Sequence, residues 1–214
     1  MKSVKACNAL SLTCNTVNPV LVVIAISFFY TGNSEEIFGI SGAECYRFFT
    51  IDSNILAAAS CLALIPFNVK ALKSGKNEIP RWAAKFKYVG ADAVALTMLV
   101  VLCYLMPVQG VEPMTVGGNL YLHLICPPLV IFSYLFLEKG KVGKKDAFLG
   151  VSAVLAYAAV YLTKVVAIGE ANGGWPDFYN FNDNNTWPYF FTGIMIFAYA
   201  ISRIMCFAKN KIEG

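Results

Sequence analysis

Two side chains that can take part in ester chemistry lie inside otherwise apolar stretches of the chain. Thr50 belongs to the segment FFTIDSNIL, residues 48–56, and His123 is the only histidine among the 214 residues. A histidine base beside a hydroxyl group is the arrangement that activates a nucleophile for attack on a carbonyl carbon. A polar group buried in hydrocarbon costs free energy unless a partner satisfies it, so both positions are candidates for function.

Each of the two residues also has a purely structural interpretation. A threonine in a membrane helix commonly donates to a carbonyl of its own helix, and an intramembrane histidine can form an interhelical hydrogen bond. Counted from the ends of their apolar stretches, Thr50 and His123 both lie about one helical turn below the same edge of the membrane. This shared depth favours a site formed by the pair, and the sequence leaves both interpretations open for each residue alone.

Further polar residues surround Thr50 on a helical wheel. Arg47, Thr50 and Asn54 have the spacing i, i+3, i+7 and share one stripe. Ser53 lies beside this stripe, whereas Asp52 points to another side of the helix. Asn54, with Ser53 next to it, is predicted to position the substrate or to donate to an oxyanion. A backbone N–H at the proline kink after His123 is the alternative oxyanion donor.

Two consecutive prolines follow the histidine. Pro127 has no N–H to offer the carbonyl of His123, and Pro128 likewise leaves the carbonyl of Leu124 without a donor. We expect the helix to kink at this point. The kink should open a wet or ligand-lined space around the imidazole ring.

The segments that carry these residues are long enough to cross a membrane. The chain is 57% hydrophobic and 14% charged, whereas a soluble domain has roughly a quarter charged residues. Blocks of about twenty apolar residues match a hydrocarbon core of ~30 Å. Six blocks are predicted to span, at about 12–31, 46–66, 88–108, 117–137, 147–168 and 187–208. The expected fold is a single all-α domain, residues 1–214, that forms an integral, multi-pass bundle of six transmembrane helices.

The basic residues alternate between successive connections. The connections 32–45, 109–116 and 169–186 contain no Lys or Arg. The N-terminal segment, the other two connections and the C-terminal segment contain Lys2, Lys5, Lys70, Lys73, Lys76, Arg81, Lys85, Lys87, Lys139, Lys141, Lys144, Lys145, Lys209 and Lys211. This positive-inside pattern predicts that both termini are cytoplasmic. A surface for nucleic acid would not alternate in this way, so nucleic acid is not an expected partner.

Charged residues inside the spans are expected to form ion pairs. Asp92 and Arg203 lie at matching depths near the inner side, which predicts a structural pair, with snorkelling of Arg203 as the alternative. Near the outer side, Asp52 is expected to pair with Lys164. Alternatively, Lys164 and Arg47 ring the mouth of a cavity and attract a carboxylate head group.

The last outer connection is rich in aromatic and turn residues, with the sequence GGWPDFY at 173–179. Trp and Tyr favour the headgroup level of a membrane, so an interfacial anchor is one interpretation. The other is a lid over the outer cavity, in which Asp177 orients His123. The seven cysteines show no metal-ligand spacing, and the chain has no glycine-rich phosphate loop, so neither a metal nor a cofactor is expected.

Taken in order, three motifs resemble those of a known family. Thr50 followed closely by Ser-Asn, His123 followed by Pro, and Trp-Pro-Asp-Phe at 175–178 resemble the androgen-induced, FAR-type membrane proteins. That family includes the androgen-dependent TFPI-regulating protein and the bacterial Pr6Pr proteins, and the resemblance spans nearly the whole chain. It implies six transmembrane helices and an intramembrane hydrolase of fatty acid esters of hydroxy fatty acids. Thr50 would then be the nucleophile and His123 its base.

The predicted function is hydrolysis of a lipid ester in the membrane, with a lipid as the partner. Two alternatives belong to other classes of protein. A transporter or channel for ions or small molecules would line a polar path with Thr50, His123, Asp52 and Lys164, although that class favours midplane sites and internal repeats. A non-catalytic lipid-binding protein would have the same cavity without the chemistry. The sequence does not indicate an oligomeric state.

Overall fold

Six long helices form the structure, a computed structural model that describes residues 2–31, 40–76, 78–140 and 142–213. Their bounds are α1 Lys2–Tyr30, α2 Phe49–Ser74, α3 Arg81–Gln109, α4 Gly118–Leu137, α5 Ala147–Ile168 and α6 Trp187–Glu213. All six are long and apolar enough to cross a membrane, and the described residues contain no strand. The prediction of an all-α, multi-pass integral membrane protein is confirmed. Helices suit this environment because hydrocarbon supplies no hydrogen bonds, so the backbone must satisfy its own polar groups.

Several helices extend further into the basic connections than the sequence predicts. α3 begins at Arg81 instead of residue 88, and α6 continues to Glu213 instead of residue 208. α2 continues to Ser74 and ends where Gly75, with φ 72°, donates its N–H to the carbonyl of Ala71. Lysine stems can lie along apolar surface while their charged ends reach a partner beyond it. Basic residues therefore did not mark the helix ends.

A short 3-10 turn, Gly42–Arg47, precedes α2, which begins at Phe49 rather than at the predicted residue 46. Phe48 separates the two elements because its backbone is extended, with φ −99° and ψ 133°. Arg47 is therefore outside the helix. The prediction that it shares a helical stripe with Thr50 is wrong.

α3 lies at the centre of the bundle and is the most buried of the six helices. Small residues allow its close approach to neighbouring helices, as is usual in membranes. A Cβ atom added to Gly90 would lie 2.9 Å from the Cα atom of Ala57 and 3.1 Å from the Cβ atom of Ser60, both on α2. The position thus requires glycine because the two backbones are nearly in contact.

A buried polar network fills the half of the bundle that is predicted to be cytoplasmic. Lys87 of α3 is 1% exposed, and its Nζ lies 2.7 Å from Asn15 Oδ1 and 3.4 Å from Glu138 Oε1. Asn15 of α1 donates in turn to Glu138 and to Asn68 of α2, both at 3.0 Å. The prediction that Lys87 belongs to a connection is therefore wrong. A cation can be buried when a carboxylate and amides satisfy it, and this one joins α1, α2, α3 and the end of α4.

Lys209 is buried in a similar way, although the sequence places it after the last span. Its Nζ donates to the carbonyl of Tyr134 at 2.7 Å and to that of Glu138, and it pairs with Glu213 at 3.0 Å. The last turns of α6 are thereby attached to the end of α4.

The predicted ion pair between Asp92 and Arg203 is not formed. Asp92 is buried in α3, whereas Arg203 is exposed on α6, and the ion pairs of the described residues include neither. Ser202, one residue earlier, occupies the face of α6 that meets Asp92 and Tyr88. Successive helical residues point about 100° apart, so two residues at the same depth need not face each other.

We predict that Lys87→Met destabilises the bundle far more than Lys85→Met. Removing Lys87 leaves Glu138 buried without its cation, a loss of ~3–5 kcal/mol. Lys85 and Asp146 lie 2.5 Å apart in a partly exposed pair, which contributes ~0–1 kcal/mol. The measurement is the free energy of unfolding in mixed micelles, followed by circular dichroism. Lys87→Met/Glu138→Gln should recover part of the loss, and equal losses for the two single variants would contradict the role of the network.

Candidate active site

The candidate site lies at the end of the bundle where α2 begins, which is the predicted outer end. Thr50 is the second residue of α2, and His123 lies in a π-helical turn of α4, Tyr121–Ile125. Both side chains line one cavity, which we call the histidine cavity. The two residues for which the sequence predicts the same membrane depth thus line the same cavity, although no hydrogen bond joins them.

Pro127 determines the backbone geometry next to His123. The N–H of Cys126 donates five residues back, to the carbonyl of Tyr121, as in a π-helix. In that register, the donor for the carbonyl of Leu122 would be the N–H that Pro127 lacks. The carbonyl that the proline frees is therefore that of Leu122. In the same register the donor for the carbonyl of His123 would be the N–H that Pro128 lacks, so this carbonyl is without an intrahelical donor as predicted, and the π-helical turn frees that of Leu122 in addition.

Asn54 of α2 satisfies the carbonyl that Pro127 leaves free. Its Nδ2 donates to the carbonyl of Leu122 at 3.0 Å and to that of Thr50 at 2.8 Å. An amide group has two N–H hydrogens, and both are used, so the prediction that Asn54 donates to an oxyanion is wrong. Its Oδ1 is buried and has no partner among the described residues. Exchanging the two amide atoms would place that oxygen against two carbonyl oxygens, so the orientation is fixed.

The imidazole of His123 has a defined tautomer. Its Nδ1 lies 2.9 Å from the carbonyl oxygen of Met114, which can only accept, so Nδ1 carries the hydrogen. In the neutral ring, Nε2 then has the free lone pair that a general base needs. Met114 belongs to a short helix, Val111–Thr115, between α3 and α4. The ring is 3% exposed, so protein atoms surround it almost completely.

The acidic residue that was predicted to orient His123 has a different role. Asp177 accepts hydrogen bonds from the hydroxyl of Tyr161 and from the N–H groups of Phe181 at 3.1 Å and Asn182 at 2.7 Å. These contacts fix the fold of the connection between α5 and α6. A backbone carbonyl orients the histidine instead.

The same connection covers the histidine cavity. Phe178 and Tyr179 line it, and the ring centroids of Phe178 and Phe48 are 4.5 Å apart. The Tyr179 oxygen accepts the N–H of Phe49 at 3.2 Å, which attaches the connection to the start of α2. Burial raises the pKa of Tyr179 to about 12, so its phenol is protonated at neutral pH. This placement is consistent with the lid interpretation.

Thr50 differs from the other helix threonines in its hydrogen bonds. Thr97, Thr163 and Thr192 each donate to the carbonyl four residues earlier. The hydroxyl of Thr50 has no partner among the described residues, because the residue four earlier lies in the 3-10 turn before α2. Its backbone N–H is also unpaired within the described residues, as expected in the first turn of a helix without a capping side chain. Thr50 therefore offers two free polar groups at one point.

A second cavity, which we call the apolar cavity, adjoins the histidine cavity. It lies between α2, α3, α5 and α6 and is lined almost entirely by aliphatic and aromatic groups. Thr50, Leu105 and Tyr179 line both cavities and form their boundary. Gln109 and Asn119 line the histidine cavity only. Thr50 therefore lies at the boundary between the more polar histidine cavity and the apolar cavity.

The other predicted site residues lie away from these cavities. Arg47 forms a surface ion pair, and neither it nor Lys164 lines either cavity. The expected pair of Asp52 with Lys164 is not formed, since Asp52 is exposed and lines a separate groove with Ser53. Ser53 Oγ lies 2.7 Å from Thr97 Oγ1 and joins α2 to α3. No described residue that lines either cavity is a cation.

Sequence reasoning missed the contribution of the connection between α3 and α4 and of the two helix ends that flank it. Met114 orients the imidazole, and Gln109 and Asn119 add polar groups to the histidine cavity. The available signal was the segment MPVQGVEPMTVGG, residues 106–118, in which glycines with positive φ bracket the short helix. A turn-rich segment of this composition between two spans can fold back over a site.

Comparisons with protein-family models, curated proteins and solved structures give no match to this chain. The resemblance to the FAR-type family therefore remains a prediction from the sequence. Among the described residues, no group of His, Cys, Asp and Glu side chains is arranged to hold a metal ion.

We predict that Asn54→Leu displaces the imidazole of His123. The substitution leaves the carbonyl of Leu122 buried without a donor, at a cost of ~1–3 kcal/mol, so the π-helical turn should rearrange. Because the chain has one histidine, NMR of selectively histidine-labelled protein reports on this ring alone. Asn210→Leu is the matched control, since it removes a hydrogen bond of 2.9 Å to the carbonyl of Val142 at the other end of the bundle. The control should leave the signals in place, and unshifted signals in Asn54→Leu would refute the positioning role.

Proposed function

We propose that the protein hydrolyses lipid esters within the membrane, with Thr50 as the nucleophile and His123 as the general base. One observation carries the proposal: the unpaired hydroxyl of Thr50 and the oriented ring of His123 belong to one cavity, which adjoins an apolar cavity. Ester hydrolysis requires a nucleophile, a base and space for an apolar chain. Thr50, His123 and the apolar cavity offer one candidate for each requirement.

In the first half of the reaction, Thr50 Oγ1 attacks the ester carbonyl carbon and its proton passes to Nε2 of His123. The bond between the acyl carbon and the alcohol oxygen then breaks, and Nε2 gives the proton to the departing alcohol. The acyl group remains as an ester of Thr50. The carbonyl of Met114 stabilises the imidazolium through the hydrogen on Nδ1.

In the second half, a water molecule gives a proton to Nε2 of His123 while its oxygen attacks the acyl carbon. The bond from that carbon to Thr50 Oγ1 breaks, and Oγ1 takes the proton back from Nε2. The fatty acid leaves, and both residues return to their starting protonation states.

The negative charge that develops on the ester oxygen needs a donor other than Asn54. The backbone N–H of Thr50 has no partner among the described residues and lies in the first turn of the 26-residue helix α2. The N-terminus of a helix carries a partial charge of roughly +0.5, which stabilises an anion. We assign the oxyanion contact to this N–H, so that Thr50 supplies both the nucleophile and one donor.

The two cavities differ in the part of an ester that each suits. The apolar cavity matches an acyl chain, whereas the amide groups of Gln109 and Asn119 in the histidine cavity match hydroxyl or carbonyl groups. A carboxylate would find no cation in the described lining. We therefore expect an ester whose alcohol part is uncharged, and the hydroxy fatty acid esters implied by the resemblance should be weaker substrates.

We predict that a lipophilic fluorophosphonate labels Thr50 in the purified protein. Thr50→Val should abolish the labelling because it removes the hydroxyl that becomes phosphonylated. His123→Gln should slow it by ~10²–10⁴-fold, which is the usual contribution of a general base. Mass spectrometry of the intact protein and its peptides measures the adduct and locates it.

Thr192→Val is the matched control for this labelling, since Thr192 lies in α6 and donates to its own helix at 2.7 Å. The Thr192→Val variant should be labelled at Thr50 as fast as the unaltered protein. Labelling that persists in both Thr50→Val and His123→Gln would remove the catalytic proposal, and salt-sensitive ion currents in planar bilayers would favour a channel.

We further predict that esters of one long-chain fatty acid are cleaved faster when the alcohol part is neutral than when it carries a carboxylate. We expect kcat/KM to be about tenfold higher for the neutral ester. This corresponds to a desolvation cost of about 1.4 kcal/mol for the carboxylate. Gln109→Arg should reduce the difference, because it brings a cation to the exposed rim of the histidine cavity. A preference for the anionic ester in the unaltered protein would contradict this assignment of the alcohol side.

A further inference from the structure

A third hollow lies on the outside of the bundle, between α3 and α6, and we call it the bilayer groove. Its walls come from residues between 99 and 104 of α3 and between 189 and 197 of α6. Phe181, from the connection between α5 and α6, also lines it. The groove therefore lies in the same half of the bundle as Thr50, where α3 ends and α6 begins.

The bilayer groove adjoins the apolar cavity. Val100, Phe181 and Ile194 line both of them. The apolar cavity in turn shares Thr50 and Tyr179 with the histidine cavity. A series of adjoining hollows thus leads from the outer surface of α3 and α6 to the candidate nucleophile.

The chemistry of the groove matches a hydrocarbon chain. Its lining is aliphatic and aromatic and contains no charged residue, and Phe197 and Tyr189 are 39% and 81% exposed. Both walls are helices long enough to span the membrane, so the open side of the groove faces lipid. A lipid acyl chain is the molecule that such a groove meets at this depth.

We propose that the bilayer groove is a lipid entrance: a hydrocarbon chain of a bilayer lipid enters between α3 and α6 and passes Phe181 into the apolar cavity. Entry by this route keeps the chain out of water, which would cost ~0.8 kcal/mol per CH2 group. The identification of the chain as part of a substrate rests on the proposed function. The entry of a chain does not.

Local features of both walls leave room along the groove. α3 contains a π-helical turn, Val101–Leu105, along the groove, and on α6 a Cβ atom added to Gly193 would meet nothing within 4 Å. At the inner end, the ring of Phe181 stacks on Phe190 with centroids 4.9 Å apart. The backbone N–H of Phe181 donates to Asp177, so the connection that covers the histidine cavity also places the ring at the threshold.

The entrance is tested by photo-crosslinking in phosphatidylcholine vesicles that contain a long-chain fatty alcohol with a diazirine in its chain. Peptide mass spectrometry should locate adducts on residues that line the apolar cavity only, such as Leu96 and Val154. Gly193→Phe should reduce these adducts to background, because the new ring fills the groove. Ala200→Phe is the matched control: it lies two turns further along the same exposed side of α6, outside the groove, and should leave the adducts unchanged.

The same measurement in Thr50→Val separates the entrance from the proposed function. Adducts that persist in Thr50→Val and disappear in Gly193→Phe support the entrance, whether or not the protein hydrolyses esters. The proposal of a lipid entrance would be overturned by either of two results. One is that the unaltered protein has no adducts in the apolar cavity, and the other is that Gly193→Phe does not reduce them. Fluorophosphonate labelling of Thr50 would then decide the function independently.

Cys103 provides a reversible block that does not depend on the folding of a variant. It is exposed and lines the bilayer groove. Treatment with an alkyl methanethiosulfonate forms a mixed disulfide on its sulfur and should suppress the adducts in the apolar cavity. Dithiothreitol should restore them, and Cys103→Ser should be insensitive to the reagent. Adducts that are unaffected by alkylthiolation of Cys103 would contradict the entrance.

Discussion

A carbonyl oxygen that loses its donor inside a membrane must find another, because hydrocarbon supplies none. In α4, Pro127 removes the donor for the carbonyl of Leu122, and the amide of Asn54 from α2 replaces it at 3.0 Å. This hydrogen bond fixes the distance between the two helices that carry the candidate nucleophile and base. It also holds the π-helical turn that directs His123 towards the carbonyl of Met114. This one backbone oxygen thus links the two helices on which the candidate site is built.

Polar groups inside the bundle have different surroundings at its two ends. At the predicted inner end, Lys87, Asn15 and one carboxylate oxygen of Glu138 are in contact and join four helices, while Glu138 Oε2 has no partner among the described residues. At the other end, the hydroxyl and the N–H of Thr50 have no partner among the described residues, although the neighbouring helix threonines use theirs. Unsatisfied groups are expected where chemistry replaces stability. The groups around Lys87 join helices, whereas the free groups of Thr50 belong to a residue that lines two cavities, as the proposed nucleophile requires.

The position of Thr50 between a polar and an apolar cavity suits a substrate that arrives from the bilayer. A hydrocarbon chain can reach it sideways through the bilayer groove, whereas water and a polar alcohol need the histidine cavity, where Gln109 and Asn119 lie. The connection that Asp177 organises contributes Tyr179 to the histidine cavity and Phe181 to the bilayer groove. One ordered connection therefore shapes both routes to the same residue.

The sequence by itself determined the six spans and the shared depth of Thr50 and His123, because apolar composition and a fixed rise per residue are local properties. It could not determine which faces meet, so Asp92 was paired with Arg203 although Ser202 occupies the contact. Nor could it identify the group that orients the imidazole of His123, since every residue has a backbone carbonyl and nothing in the type of Met114 distinguishes its own. Those contacts were decided by tertiary structure, in which helix rotation and the π-helical turn select the atoms that come within hydrogen-bonding distance.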